Sequence, residues 1–201
     1  MSKHFNMGNV WGKIATVKLE ESKIEKTPYL SITLECPNEL FGSVRTYGRL
    51  WGKDKIDMFL DYHKKHLGAA YKFRGFFSQY SKNGNRYSNY TFFNWQPIEG
   101  REFRACFILK GQITAIEGDK IFLHIEREGQ ENYDDIEEDF ELHILNQQDI
   151  AGITAGDMVQ CKGMIRRKET EDYFGGSPEG KILPFIMDLK KITDETKEEV
   201  F

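Results

Sequence analysis

Between Val44 and Trp51 the chain reads Val-Arg-Thr-Tyr-Gly-Arg-Leu-Trp. Successive side chains of an extended strand point to opposite faces. Arg45, Tyr47, Arg49 and Trp51 therefore share one face, and Val44, Thr46, Gly48 and Leu50 the other. The second set is small or apolar and suits a core. The first interleaves two guanidinium groups with two rings, which fits single-stranded nucleic acid: bases stack on flat rings for about 1–3 kcal/mol each, and cations neutralise phosphates. Further along, Lys72, Arg74, Phe76 and Tyr80 alternate against Phe73 and Phe77, and the stretch from Tyr80 to Tyr87 adds Lys82 and Arg86 around Asn83-Gly84. Trp11, Lys13 and Lys53 complete the candidate DNA-binding set. The plainer reading of such a face is a protein interface or a solvated basic strand. Phe76 or Trp95, taken singly, could equally belong to a core.

Groups that could catalyse are scarce. Asp134, Asp135, Glu137, Glu138 and Asp139 have the residue types of a metal-dependent nuclease, but they form one polar run without partners on separate strands. His63 and His66 sit three apart beside Tyr62 without evident further ligands, and His124, His143 and Cys161 are scattered over strands. No phosphate-cradling glycine loop occurs. The expectation is a binding protein, not an enzyme, with no cofactor and no metal.

The elements that must position the basic and aromatic residues are mainly β. Short segments bounded by Gly, Asn and Pro predict strands over Val10–Leu19, Tyr29–Glu35, Val44–Trp51, Ala70–Tyr80 and Arg86–Gln96. A helix is predicted over Asp54–Leu67, where Ile56, Phe59, Leu60, His63 and Leu67 recur at three- and four-residue spacing, with Asp54 as N-cap and Gly68 as the stop. Asn83-Gly84 is a strong hairpin-turn dipeptide. Three strands, a helix and two hairpin-linked strands is the order of an OB-fold, a small five-stranded barrel.

The second half repeats this order. Val10-Trp11-Gly12-Lys13-Ile14 is echoed by Leu109-Lys110-Gly111-Gln112-Ile113, and Phe73-Arg74-Gly75-Phe76-Phe77 by Cys161-Lys162-Gly163-Met164-Ile165. A strand glycine marks a bulge or bend of the kind small barrels need to close. Five further strands follow over Phe107–Ala115, Lys120–Glu126, Glu138–Leu145, Met158–Arg167 and Ile182–Lys190, with Asn146–Ile153 as a short helix or turn. The fold class is therefore all-β, two tandem OB-fold barrels with one helix each: residues 1–98, residues 101–192, and an acidic tail over 193–201.

Charge divides the same way. Residues 1–100 carry 15 Lys+Arg against 9 Asp+Glu and residues 101–201 carry 13 against 23, so +6 and −10 sum to the net −4. Of the 27 aromatic residues, 15 fall between Phe41 and Trp95, more than one small core needs. With 39% hydrophobic residues in 201, the chain can supply real cores, and no apolar run approaches the roughly 20 residues needed to cross a bilayer, so no membrane role is expected. The start, Met-Ser-Lys-His-Phe-Asn, lacks a secretory pattern, and Cys36, Cys106 and Cys161 are isolated, which points to the cytoplasm.

At Leu50-Trp51-Gly52-Lys53, then Leu67-Gly68-Ala69-Ala70-Tyr71-Lys72-Phe73-Arg74-Gly75, then Asn85-Arg86-Tyr87-Ser88, the chain resembles the bacterial and phage OB-fold single-stranded DNA-binding proteins, over about Phe5 to Gln96. The resemblance implies that Trp51 stacks on a base. It places Arg45, Tyr47 and Arg49 on the DNA-facing side, and Tyr80 and Tyr87 in a hairpin that wraps the strand. It also implies an acidic tip that recruits replication or repair proteins, here Asp194, Glu195, Glu198, Glu199 and Phe201. Val200 replaces the family's Pro, Lys197 interrupts the acids, and the long Gly/Gln/Pro-rich linker is missing. The second barrel departs from the common one-barrel members and resembles phage or mobile-element variants, for which the compartment is a host cytoplasm; otherwise the protein would be nucleoid-associated.

The second barrel looks unsuited to DNA, with nine acids and one base, Arg127, from Glu126 to Glu141. A regulatory or dimerising role is expected for it, while Arg166, Arg167 and Lys168 leave room for DNA to cross there. The expected function is sequence-independent binding of single-stranded DNA in replication, recombination or repair, with RNA a further candidate because stacking faces tolerate either sugar. Free sheet edges make a homo-oligomer a second expectation. The alternative is a protein-interaction adaptor whose aromatic face is a subunit or partner interface.

Overall fold

The computed structural model describes residues 4–37, 43–100, 103–127, 136–145, 150–167 and 182–192. Among the described residues, ten strands and one helix follow in the expected order: β1 (Phe5–Glu21), β2 (Pro28–Cys36), β3 (Val44–Trp51), α1 (Lys53–Lys65), β4 (Ala70–Lys82), β5 (Asn85–Ile98), β6 (Arg104–Glu117), β7 (Lys120–Arg127), β8 (Ile136–Ile144), β9 (Met158–Arg167) and β10 (Ile182–Lys191). They form two compact units, one built on Gly8–Cys106 and the other on Phe107–Met164 with residues 4–7 and 183–192.

In the first unit the strands run β2-β3-β5-β4-β1, and β1 pairs back onto β2. In the second the order is β7-β8-β10-β9, with β6 paired to both β7 and β9. The two circuits are the same, down to the parallel pairs β3–β5 and β8–β10. The echoed glycines explain the closure. Pairing slips between Ile14 and Thr16 in β1 and between Ile113 and Ala115 in β6, two residues after Gly12 and Gly111. A Cβ at Gly12 would lie 2.8 Å from the Glu35 carbonyl oxygen, and one at Gly111 2.3 Å from that of His124. Only a residue without a side chain lets these strands approach.

The cores differ in kind. Phe59, Tyr71, Phe73, Phe77, Tyr90 and Phe92 fill the first together with Val10, Leu30, Ile32, Leu34 and Leu50. The second is mostly aliphatic, with Leu109, Ile113, Ile121, Leu123, Ile125, Leu142 and Val159 around Phe107 and Phe140. Six of the 15 clustered aromatics are thus core residues. Trp95 joins them in part, its ring meeting Phe59 edge-on at 5.2 Å and Tyr62 at 5.6 Å.

Two local expectations are corrected. The helix starts at Lys53 with Gly52, at φ 95°, as its N-cap. Asp54 lies inside the first turn, where its carboxylate meets the positive end of the helix dipole, and makes no cap hydrogen bond. The helix stops before His66, whose N–H bonds to the Tyr62 and His63 carbonyls, so Leu67 lies past the end and is 80% exposed. The buried stripe is Ile56 and Phe59, with His63 Nδ1 3.0 Å from the Tyr71 hydroxyl. Of the expected second-half helix or turn, Asn146–Ile153, residues 146–149 lie outside the described residues, and in the rest the Ile153 N–H bonds to the Ile150 carbonyl in a single turn.

Candidate nucleic-acid interface

Strand β3 alternates without a break. Val44, Thr46, Gly48 and Leu50 are buried, Arg45 and Arg49 are exposed, and Tyr47 and Trp51 are half-buried. The inner row depends on Gly48, where a Cβ would come within 2.1 Å of the Phe92 ring. The outer row is backed by β2, whose register sets Tyr29 opposite Trp51, Ser31 opposite Arg49, Thr33 opposite Tyr47 and Glu35 opposite Arg45.

These residues form one connected surface. The Trp51 and Tyr29 rings lie 4.7 Å apart, tilted by 35°. The Arg49 guanidinium sits 5.1 Å from the Tyr29 centroid, a cation–π geometry, and its Nε donates to the Tyr47 hydroxyl at 3.4 Å. Ser31 Oγ donates to the same hydroxyl at 3.2 Å. That bond to Tyr47 holds the Arg49 pKa above its ordinary value. Tyr29 donates its hydroxyl to Glu20 at 2.8 Å, which, with burial, pushes its phenol pKa up. Tyr29 was missed as a site residue, although the alternation of Tyr29, Ser31, Thr33 and Glu35 against Leu30, Ile32, Leu34 and Cys36 already marks its face.

Topology carries the face across the barrel. Strand β5 lies between β3 and β4, so β4 does not continue β3 directly. Arg49 pairs in register with Thr91 of β5, and Thr91 with Phe76 of β4. Phe93 is the extra residue where pairing shifts at Arg74/Gly75, and its ring lies 5.3 Å from that of the half-buried Phe76. A row Ser31, Arg49, Thr91 and Phe76 thus crosses four strands on one face.

The β1–β2 hairpin overhangs one end of this row. A cavity of about 720 Å³ opens there, lined by the hairpin residues Glu20, Glu21, Ser22, Lys23, Ile24 and Glu25 together with Tyr29, Arg49 and Trp51.

A second cationic group lies on β1 and β4. Trp11 is in register with Lys72, whose Nζ is 5.2 Å from the indole centroid, and the Arg104 guanidinium is 4.8 Å from it. Lys13 approaches the Phe103 ring at 5.9 Å. Arg74, exposed, is in register with Asn9 and Asn94. Cations already occupy the Trp11 ring, so the cluster presents charge more than a bare stacking surface. Arg104 was missed because it follows the expected domain boundary.

The hairpin forms as the Asn83-Gly84 dipeptide predicts, with φ 52° and 75° at the turn. Tyr80 and Tyr87 face each other in register and stack at 5.4 Å, 47% and 44% exposed. Lys82 is exposed near the tip, and Arg86 reaches Gln79 Oε1 at 3.4 Å. Lys53 stands apart from the row. It begins α1 and pairs with Asp57 at 2.7 Å, an exposed i,i+4 bridge that offsets its charge.

In the second unit the described acids lie on paired strands, with Glu126 opposite Glu137 and His124 opposite Asp139. His124 Nδ1 is 2.8 Å from Asp139, which holds the imidazole pKa above its ordinary value. Residues 128–135, Lys168 and the tail residues Asp194, Glu195, Glu198, Glu199 and Phe201 lie outside the described residues.

No family model matches the chain, and no curated protein matches it in sequence. Solved structures do match in shape. A deletion mutant of the single-stranded DNA-binding protein from Thermus aquaticus superposes with a TM-score of 0.64 at 17% identity, covering 99% of this chain and 100% of that one. The wild-type protein from Thermus aquaticus gives 0.62 at 15% identity over 96% and 95%. Together with the strand circuits, these likenesses establish the fold of the chain as all-β and OB-type.

Proposed function

We propose that this chain is a non-catalytic binder of single-stranded DNA acting in replication, recombination or repair. The observation that carries the reading is the outer row of β3: two arginines and two rings on one face, backed by Tyr29 and prolonged through Thr91 to Phe76 and Phe93. Rings at strand-pair spacing offer successive stacking surfaces, while Arg45, Arg49, Lys72, Arg74, Lys82 and Arg86 take phosphates. The solved structures of like shape are of proteins named for single-stranded DNA binding, which supports the same reading. Backbone contacts and stacking make most of the binding independent of sequence. The second unit, with its acidic strand pair, serves regulation or self-association, and the tail from Asp194 to Phe201 recruits partner proteins.

Fluorescence anisotropy of a labelled single strand of about 30 nucleotides, in competition with unlabelled duplex and RNA of the same sequence, tests this directly. Saturable binding that duplex fails to displace supports it. Binding to neither nucleic acid at low salt favours an adaptor whose aromatic face meets protein.

A further inference from the structure

Tyr29 touches both groups that the β3 face offers to a nucleic acid, yet it is itself covered. At 8% exposure it has little surface left for a base. The Trp51 ring lies 4.7 Å from its ring and the Arg49 guanidinium 5.1 Å from its centroid. Strand pairing accounts for the meeting, because Glu20 of β1 is opposite Tyr29 of β2, and Tyr29 is opposite Trp51 of β3. Glu20, Tyr29 and Trp51 thus form one row across three strands. The phenol donates to a Glu20 carboxylate oxygen at 2.8 Å, a charge-assisted hydrogen bond. By its charge alone a carboxylate in this row would only repel the phosphates of a bound strand.

Resting on the single-stranded DNA-binding reading, we propose that Glu20 is a positioning residue: by holding the Tyr29 hydroxyl it fixes the ring that backs Trp51 and carries Arg49, and so presets both groups for a DNA strand. Glu20 needs to touch no nucleotide for this. Two torsions orient a tyrosine ring, and tying its hydroxyl settles both. A phenol that donates to a carboxylate also gains electron density on its ring face, which strengthens its hold on a cation. The repulsion between Glu20 and phosphate works in the opposite direction, but it acts through solvent and fades with salt, whereas the contact hydrogen bond does so far less. Salt therefore separates the two effects.

The full chain is titrated with a labelled oligothymidine of about 30 nucleotides, at low salt and at about 0.3 M salt, as wild type, Glu20→Ala, Glu20→Gln, Tyr29→Phe and the double variant Glu20→Ala/Tyr29→Phe. Tyr29→Phe keeps the ring and removes only the hydroxyl. Glutamine keeps an oxygen that accepts from the phenol and drops the charge. At the higher salt, Glu20→Ala and Tyr29→Phe are each expected to bind about fivefold more weakly than wild type, and the double variant no more weakly than either, because both remove the same bond. Glu20→Gln is expected to bind as tightly as wild type or more tightly. Wild-type affinity in Glu20→Ala at the higher salt, losses that add in the double variant, or a Glu20→Gln protein as weak as Glu20→Ala overturns the assignment and leaves the general reading standing. Absence of wild-type binding at low salt overturns both.

Discussion

The Arg49 guanidinium lies 5.1 Å from the centre of the Tyr29 ring, while its Nε donates to the Tyr47 hydroxyl. A cation held on two sides is pre-oriented, so less side-chain entropy is lost when it meets a phosphate. The same contacts tie the paired Tyr29 and Trp51 rings to the charged row of β3. On the proposed function, base stacking and phosphate contact would share this strand pair.

Trp51 is half-buried on the outer face, so Trp51→Ala leaves the core intact. Affinity for single strands is expected to fall by about 1–3 kcal/mol, by a similar amount at low and high salt. Isothermal titration at two salt concentrations checks this, and unchanged affinity in a folded variant counts against the assigned face.

Arg49→Ala and Lys82→Ala act on charge. Each is expected to reduce the steepness of log affinity against log salt by about 0.7, the increment per phosphate contact on a single strand. A slope equal to that of the wild type would remove the residue from the interface. Lys53→Ala, whose charge is already met by Asp57, is expected to change the slope least.

Gly48→Ala tests the inner side of the same strand. Its Cβ would sit 2.1 Å from the Phe92 ring, which is fully packed in the core. Overpacking of this kind costs about 1–3 kcal/mol, seen as a lower denaturant midpoint. An unshifted midpoint would mean that β3 and β5 do not close as described.

Much of this is legible in the sequence. The β3 face follows from a local period of two, and the Asn83-Gly84 turn sets Tyr80 against Tyr87 because hairpin register depends on the turn alone. Features that depend on distant pairing were hidden. Tyr29 gains its meaning only opposite Trp51, on another strand. Trp11 enters the DNA-binding set from its own strand alone, and the cations that sit over its ring, Lys72 and Arg104, come from another strand and from beyond the expected boundary. Leu67 fits the helical spacing but falls past the point where His66 ends the ladder.

Three titrating groups give further checks. Burial pushes the Cys36 thiol up to about 12 and raises that of Cys161 as well. Both should react with a thiol reagent at neutral pH only after denaturation, and rapid native labelling of either would contradict the described cores.

For His124 the folded pKa is raised by Asp139, so its stabilising contribution is complete below the ordinary imidazole value. It is lost as pH rises through the folded value. Denaturation midpoints of the wild type and of His124→Gln should differ most in acid and converge in mild alkali. A gap that widens with pH would reverse the sign and refute the ion pair.

The most direct test of the account is quenching of the intrinsic tryptophan fluorescence by a mixed-sequence single strand of about 30 nucleotides, at two salt concentrations and beside the matching duplex. The account predicts saturable quenching by the single strand, weakened by salt and largely lost in Trp51→Ala. Equal quenching by duplex, or none by the single strand at low salt, would contradict it.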